Sequence, residues 1–72
     1  MHEGQLSPRE RDVARLVAGG MTNAEIARLL GLSASTVKHY VGSAIRKAGV
    51  SNRVALAIRL RSEESGFLTH CD

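Results

Sequence analysis

Apolar residues recur every three or four positions through most of the chain, which is the spacing of an amphipathic helix. Four such segments are separated by glycine or polar residues, and none alternates between apolar and polar residues as a half-buried strand does. In the first three segments the apolar positions are Val13, Leu16 and Val17; Ile26, Ala27 and Leu30; and Val37, Val41, Ala44, Ile45 and Ala48. The pattern therefore predicts an all-α domain of four short helices.

Residues that start and stop helices mark the ends of these segments. Ser7 and Thr22 are each followed three residues later by glutamate, which is the capping-box sequence of a helix N-terminus. Ser33 and Ser51 are predicted to cap the third and fourth helices, the fourth spanning residues 52–62. Glycine readily adopts the left-handed conformation found beyond a helix C-terminus, and it follows the first three helices at Gly19, Gly20, Gly31 and Gly49.

The short connection between the second and third helices predicts a helix-turn-helix. Only Gly31 and Leu32 precede the capping residue of the third helix, so the two helices must cross steeply. A small residue, Ala27, lies where such helices cross, and Gly31 follows it four residues later at the turn. Apolar residues occupy the inner positions of the motif: Ile26, Leu30, Leu32, Val37 and Tyr40.

Length and composition narrow the class of protein further. A chain of 72 residues makes one small domain, and with one Tyr and one Phe its core must consist of Leu, Val, Ile and Ala. A single cysteine excludes an internal disulfide, and no Cys/His spacing, carboxylate pair or glycine-rich phosphate loop indicates a metal, a cofactor or an enzyme. Without a long apolar run or a signal peptide, a cytoplasmic location and no membrane partner are expected.

The positive charge lies in one part of the chain. Residues 23–61 contain seven Lys or Arg and only one acidic residue, a net charge of +6, whereas residues 63–72 have a net charge of −3. A basic helix-turn-helix is typical of a nucleic-acid-binding protein, although a solvated basic face remains an alternative. The expected organisation is an N-terminal arm at 1–5, the helical domain at 6–62 and an acidic, flexible tail at 63–72.

Residues 6–57 resemble the LuxR/GerE-type helix-turn-helix domain of bacterial transcriptional regulators. The resemblance depends on four groups of residues: Leu6, Ser7, Arg9 and Glu10; Asn23, Glu25, Ile26 and Ala27; Thr36, Val37 and Lys38; and Lys47, Gly49, Val50 and Arg53. It implies that the third helix enters the major groove of double-stranded DNA and that the fourth helix mediates dimerisation. It also implies sequence-specific regulation of transcription, by a stand-alone protein or the output domain of a longer response regulator.

The outer face of the third helix supplies the predicted contacts with bases, which are Lys38, His39, Gly42 and Ser35. Phosphate contacts are expected from helix N-termini and flanking donors, at Asn23, Thr36, Tyr40, Arg46, Lys47, Ser51 and Arg53. Several alternatives stay open: a solvated Lys38, a His39 that faces only water, and a Thr36 that packs at the helix start. Arg53 is equally compatible with a structural bridge to an acidic residue such as Glu10.

The fourth helix is expected to form the interface of a homodimer that binds a palindromic site. Val54, Ala55 and Ile58 are assigned to the core, which leaves an exposed face formed by Leu56, Ala57 and Leu60. Leucines scattered on the surface without function are the alternative.

A second function class also fits a helix-turn-helix. Such a domain can act as an adaptor that contacts RNA polymerase or another regulator instead of DNA. The polar and basic character of the third helix favours DNA, and no small-molecule ligand is expected in this chain.

Overall fold

A computed structural model describes residues 5–69 of the chain, with side chains as far as residue 63. In this range the chain forms four α-helices: α1 at Pro8–Ala18, α2 at Asn23–Leu30, α3 at Ala34–Ala48 and α4 at Arg53–Thr69. The described residues contain no strand. The all-α, four-helix architecture predicted from the apolar pattern is confirmed.

The first three helices begin at the predicted caps. The Ser7 hydroxyl accepts a hydrogen bond from the Glu10 backbone N–H at 3.2 Å, and the Glu10 carboxylate accepts one from the Ser7 N–H at 2.8 Å. Thr22 and Glu25 form the same reciprocal pair, and the Ser33 side chain caps α3. Each cap satisfies backbone N–H groups that have no partner inside the helix, a contribution of about 1 kcal/mol to stability.

Both ends of α4 differ from the prediction. Asn52 is the N-cap in place of Ser51, because its side-chain oxygen accepts the Ala55 N–H at 2.9 Å and its carbonyl accepts the Leu56 N–H at 3.0 Å. The helix also continues past residue 62 to Thr69, a stretch that no proline interrupts. Residues 1–4 of the predicted arm, residues 70–72 of the predicted tail and the tail side chains from 64 onward lie outside the described residues.

Two apolar clusters form the core. The first lies between α1, α2 and α3 and contains Val13, Val17, Ile26, Ala27, Val37 and Val41. The second lies between α1, α3 and α4 and contains Ala14, Ala44, Leu56 and Leu60. Because α1 and α3 contribute to both clusters, they fix the direction of α2 on one side and of α4 on the other.

The face of α4 that packs on the core is the opposite of the predicted one. Val54 and Ile58, which were assigned to the core, are 67% and 61% exposed. Large leucine side chains of α4 pack in the second cluster with the small side chains of Ala14 on α1 and Ala44 on α3. Two of the predicted dimer-interface residues are instead inside the domain, Leu56 (0% exposed) and Leu60 (2% exposed), and the third, Ala57, is half-buried against the first cluster. The prediction of an exposed interface is therefore wrong for Leu56 and Leu60.

Candidate nucleic-acid interface

The turn between α2 and α3 fixes the direction of α3 relative to α2. Gly31 follows α2 in the left-handed conformation, with φ +70°, which residues other than glycine rarely adopt. The Leu32 N–H then donates to the Ala27 carbonyl at 2.8 Å, which closes the turn. Ala27 is only 7% exposed at the predicted crossing point of the two helices. These contacts give the helix-turn-helix expected from the sequence.

The outer face of α3 is polar and exposed along the length of the helix. Its residues are Ser35, Lys38, His39, Gly42 and Arg46, all of them exposed. The opposite face is buried at Val37, Val41 and Ala44. The structure thus brings the four predicted base-contacting residues, and Arg46 beside them, onto one accessible surface of a single helix.

The side chains at the start of α3 are partly engaged within the helix. The Ser33 hydroxyl accepts the Thr36 backbone N–H at 3.1 Å and donates to the Thr36 hydroxyl at 2.9 Å. Thr36 is half-buried, in agreement with the alternative that it packs at the helix start, while its hydroxyl proton remains available to an acceptor. Ser35, one residue earlier, is exposed.

His39 and Tyr40 lie side by side on α3, with ring centroids 6.3 Å apart in an edge-on arrangement. Tyr40 is half-buried and packs against the first core cluster, so its ring has a structural role at the predicted inner position of the motif. His39 is exposed. Of the two rings, only that of His39 lies on the outer face of α3.

Lys47, a predicted phosphate contact, is bound to a carboxylate of its own chain. Its ammonium group donates to Glu10 at 3.0 Å, and the buried Ser43 hydroxyl donates to the other oxygen of the same carboxylate at 2.6 Å. The hydrogen bond from Ser43, then that from the Ser7 N–H, and further that from Lys47 lower the pKa of Glu10 from its ordinary 4.5 to about 2, although burial raises it. The spacing of Ser43 and Lys47, four residues apart, places both on one face of α3, but their distant partner was not predicted.

Arg53 is also engaged inside the domain. Its guanidinium donates one hydrogen bond to the side-chain oxygen of Asn23 and a second to the Met21 carbonyl, the latter at 2.8 Å. The alternative of a bridge from Arg53 to an acidic residue such as Glu10 is therefore wrong in its partner, because Arg53 is held by a neutral side chain and a backbone carbonyl at the start of α2. Ser51, another predicted phosphate contact, is exposed just before the cap of α4.

Two other surface features lie outside α3. Val54 and Ile58, one helical turn apart on α4, form an exposed apolar pair. On α2, the side chains of Glu25, Arg28 and the 61%-exposed Leu29 line an open depression together with Met21. Among the described residues no three His, Cys, Asp or Glu side chains come close enough to hold a metal ion, and no helix is long and apolar enough to cross a membrane.

Comparison with known proteins gives several relatives among bacterial regulators. The chain is 44% identical to the two-component response regulator PprB of Pseudomonas aeruginosa over 71 residues, which cover 93% of this chain and 26% of that protein. It is 42% identical over 59 residues to the nitrate/nitrite response regulator protein NarL of Escherichia coli, covering 82% of this chain and 27% of NarL. It is also 44% identical over 61 residues to the transcriptional activator protein YukR of Yersinia ruckeri, covering 85% and 26%.

The chain thus spans about a quarter of the length of these curated relatives. The model of the family described as bacterial regulatory proteins, luxR family, matches residues 4–60. That match includes the helix-turn-helix, the polar face of α3 and the first part of α4. The chain therefore belongs to the luxR family of bacterial regulatory proteins.

Proposed function

We propose that this domain binds a specific sequence in duplex DNA by placing α3 in the major groove, and so acts in transcriptional regulation. The observation that carries the proposal is the outer face of α3, which is polar, exposed and basic while the opposite face is buried. The major groove of B-DNA, about 12 Å wide, accommodates one α-helix. The domain would act alone or as the output domain of a longer regulator, in the cytoplasm where bacterial DNA lies.

Base recognition is assigned to the outer residues of the first turns of α3. Lys38 can donate to guanine O6 or N7, and His39 can donate to or accept from a base edge depending on its tautomer. Ser35 lies one turn before them and Gly42 one turn after. Gly42 has no side chain, and a Cβ built there would meet nothing within 4 Å in the domain, so the space beside its backbone is open to DNA.

The predicted phosphate contacts differ in whether their side chains are exposed or already bound within the domain. Exposed Arg46 is the strongest candidate, because it lies on the same face of α3 as the base-contacting residues. Lys47 and Arg53 are engaged by other residues of the domain, so the proposal does not give them direct phosphate contacts. The remaining predicted donors are proposed to contact the sugar-phosphate backbone of the DNA beside α3. They are Asn23, Thr36, Tyr40 and Ser51.

A homodimer formed through α4 completes the proposal, with Val54 and Ile58 at its centre. One helix in a groove reaches base edges with about three or four side chains, and helix-turn-helix proteins bind two half-sites as dimers. A two-fold axis would place the same apolar pair of each copy against the other, which buries side chains that are more than 60% exposed in one copy. The two domains would then contact a palindromic site.

DNA titration at several salt concentrations tests the binding. A protein that contacts phosphates loses affinity as a power of the salt concentration, and Lys38→Ala is expected to weaken binding to a selected site by tenfold or more. Arg9→Ala removes the same charge from α1, where Arg9 lies 3.9 Å from Asp12, and should change the affinity little. Equal affinity of the Lys38 variant and the parent would show that α3 is not the recognition surface.

The dimer is tested on DNA with one and with two half-sites. Ile58→Glu is expected to remove the gain in affinity that the second half-site provides, because it places a charge in the centre of the interface. Leu29→Glu is a matched control: Leu29 is also 61% exposed but lies on α2. If both variants keep the gain, α4 does not form the interface.

The alternative adaptor function predicts a different result in the same titration. A domain that contacts only RNA polymerase or another regulator would bind no DNA sequence, whether specific or random, at low salt. The basic, polar face of α3 is the feature that favours DNA over that function.

A further inference from the structure

Arg53 connects two helices that have different roles in the proposed complex. It is the first residue of α4, which is the proposed dimer helix, and its guanidinium lies at the start of α2. One end of the guanidinium binds the carbonyl of Met21, just before the α2 cap, and the other binds the side chain of Asn23, the first residue of the helix. Arg53 is half-buried in this position.

The chemistry of these two side chains fixes the direction of the Asn23 amide. A guanidinium has five N–H donors and no acceptor, so only the amide oxygen of Asn23 can face it. The amide nitrogen with its two N–H groups must point away from Arg53, and no residue in the described part of the chain accepts from it. An Asn side chain without this partner could turn its oxygen outward, where it would repel an anion.

We propose that Arg53 is a positioning residue, which holds the Asn23 amide so that its N–H groups donate to a DNA phosphate. This inference deepens the proposed function and rests on it. It replaces a direct phosphate contact of Arg53, expected from the sequence, with an indirect one through Asn23. It also connects the orientation of the α4 dimer helix with a backbone contact of α2, because a single side chain touches both.

A double-mutant cycle with Asn23→Ala and Arg53→Met tests the inference in the full 72-residue chain, with a mixed-sequence DNA duplex as the probe. Methionine keeps the length of the arginine side chain but cannot donate. Each single variant is expected to lose about tenfold in affinity, the value of one hydrogen bond to a charged group. The double variant should lose no more than the larger single loss, since both changes remove the same contact.

The salt dependence separates positioning from direct contact. Removing a cation that binds a phosphate makes the plot of log affinity against log salt less steep, by about 0.9. Arg46→Met, on the exposed face of α3, is the matched control and should show that change for each bound copy, about 1.8 in a dimer. Arg53→Met should weaken binding with a clearly smaller change in slope, because its charge does not replace a counterion on the DNA.

Asn23→Asp separates binding from folding. A carboxylate accepts from Arg53 as well as an amide does and is favourable in the first turn of a helix, so the melting temperature should not fall. The affinity should fall by more than in Ala24→Asp, which adds the same charge at the neighbouring exposed position and keeps the amide.

Three results would overturn the inference while DNA binding itself stands. They are a slope change for Arg53→Met equal to that for Arg46→Met, independent losses that add in the double variant, and equal binding by Asn23→Asp and Ala24→Asp. If the unmodified chain bound no DNA, the proposed function would be overturned and this inference with it.

Discussion

The hydrogen bond from Ser43 to Glu10 should control how the stability of the domain depends on pH. Ser43→Ala removes the 2.6 Å hydrogen bond and leaves one oxygen of a carboxylate that is only 6% exposed without its donor. Losing a hydrogen bond to a charged group costs about 1.5–3 kcal/mol, from which the higher helix propensity of alanine subtracts about 0.5 kcal/mol. The variant should therefore unfold with a free energy about 1–2.5 kcal/mol lower at pH 7, as measured by urea titration followed by circular dichroism.

The loss of stability caused by Ser43→Ala should become smaller in acid. Because the pKa of Glu10 is lowered to about 2 in the folded state, its contribution is fully present above pH 4.5 and is lost as the pH falls towards 2. The whole shift corresponds to about 3 kcal/mol, and the part due to Lys47 is the smaller one, since its side chain is 40% exposed and screened by water. Ser43→Ala raises the folded pKa towards 4.5, so its stability should depend less on pH and approach that of the parent near pH 2.

Ser35→Ala provides the control, since it makes the same substitution on the exposed face of the same helix. It should raise the stability at pH 7 by no more than the same gain in helix propensity, about 0.5 kcal/mol, and leave the dependence of stability on pH unchanged. A Ser43→Ala variant within about 0.5 kcal/mol of the parent at pH 7, or one with the same deficit at pH 7 and pH 2, would refute the role given to this hydrogen bond.

Five further substitutions test the core packing of α4, its N-cap and the glycine within α3 by thermal or urea unfolding of dilute protein. Leu56→Ala should lower the free energy of unfolding by about 2–5 kcal/mol, because it opens a cavity in the second cluster. Ile58→Ala, at a 61%-exposed site, should lower it by less than about 1 kcal/mol. Equal losses would contradict the assigned face of α4. Asn52→Ala should lower stability by about 1 kcal/mol through loss of the α4 cap, and an equal loss in Ser51→Ala would be evidence against that cap. Gly42→Ala should raise stability by about 0.5–1 kcal/mol, since its Cβ meets nothing in the domain; a lower melting temperature would disprove this.

The parts of the fold that the sequence predicts are those that local chemistry determines. The capping boxes at Ser7 and Thr22, the left-handed Gly31 and the polar face of α3 follow from spacing and residue type within a few positions. The face of α4 does not, because apolar residues occur on both sides of that helix. Which side is buried depends on packing with residues of the neighbouring helices, such as the small Ala14 and Ala44.

The internal contacts of Lys47 and Arg53 could not be predicted for a related reason. A sequence gives the charge of Lys47 and Arg53 but not their distance to Glu10, 37 residues away, or to Asn23, 30 residues away. Both contacts depend on tertiary packing that brings distant helices together. The sequence therefore shows which residues near the recognition helix are basic, but not which of them an acceptor of the same chain already binds.

The same contacts reduce the charge that this domain can offer to DNA. Residues 23–61 contain seven Lys or Arg, and a dimer in which all of them bound phosphates would have a salt slope beyond about −10. Lys47 is paired with Glu10, Arg53 with Asn23, and the Arg59 guanidinium donates to the Ala48 carbonyl at 3.2 Å. Of the other four, Arg28 lies on α2 and Arg61 on α4, whereas Lys38 and Arg46 lie on the exposed face of α3, so the two copies of α3 in a dimer bring four cations to DNA. We expect a slope near −4, and a measured slope beyond −10 would mean that the internal contacts break when DNA binds.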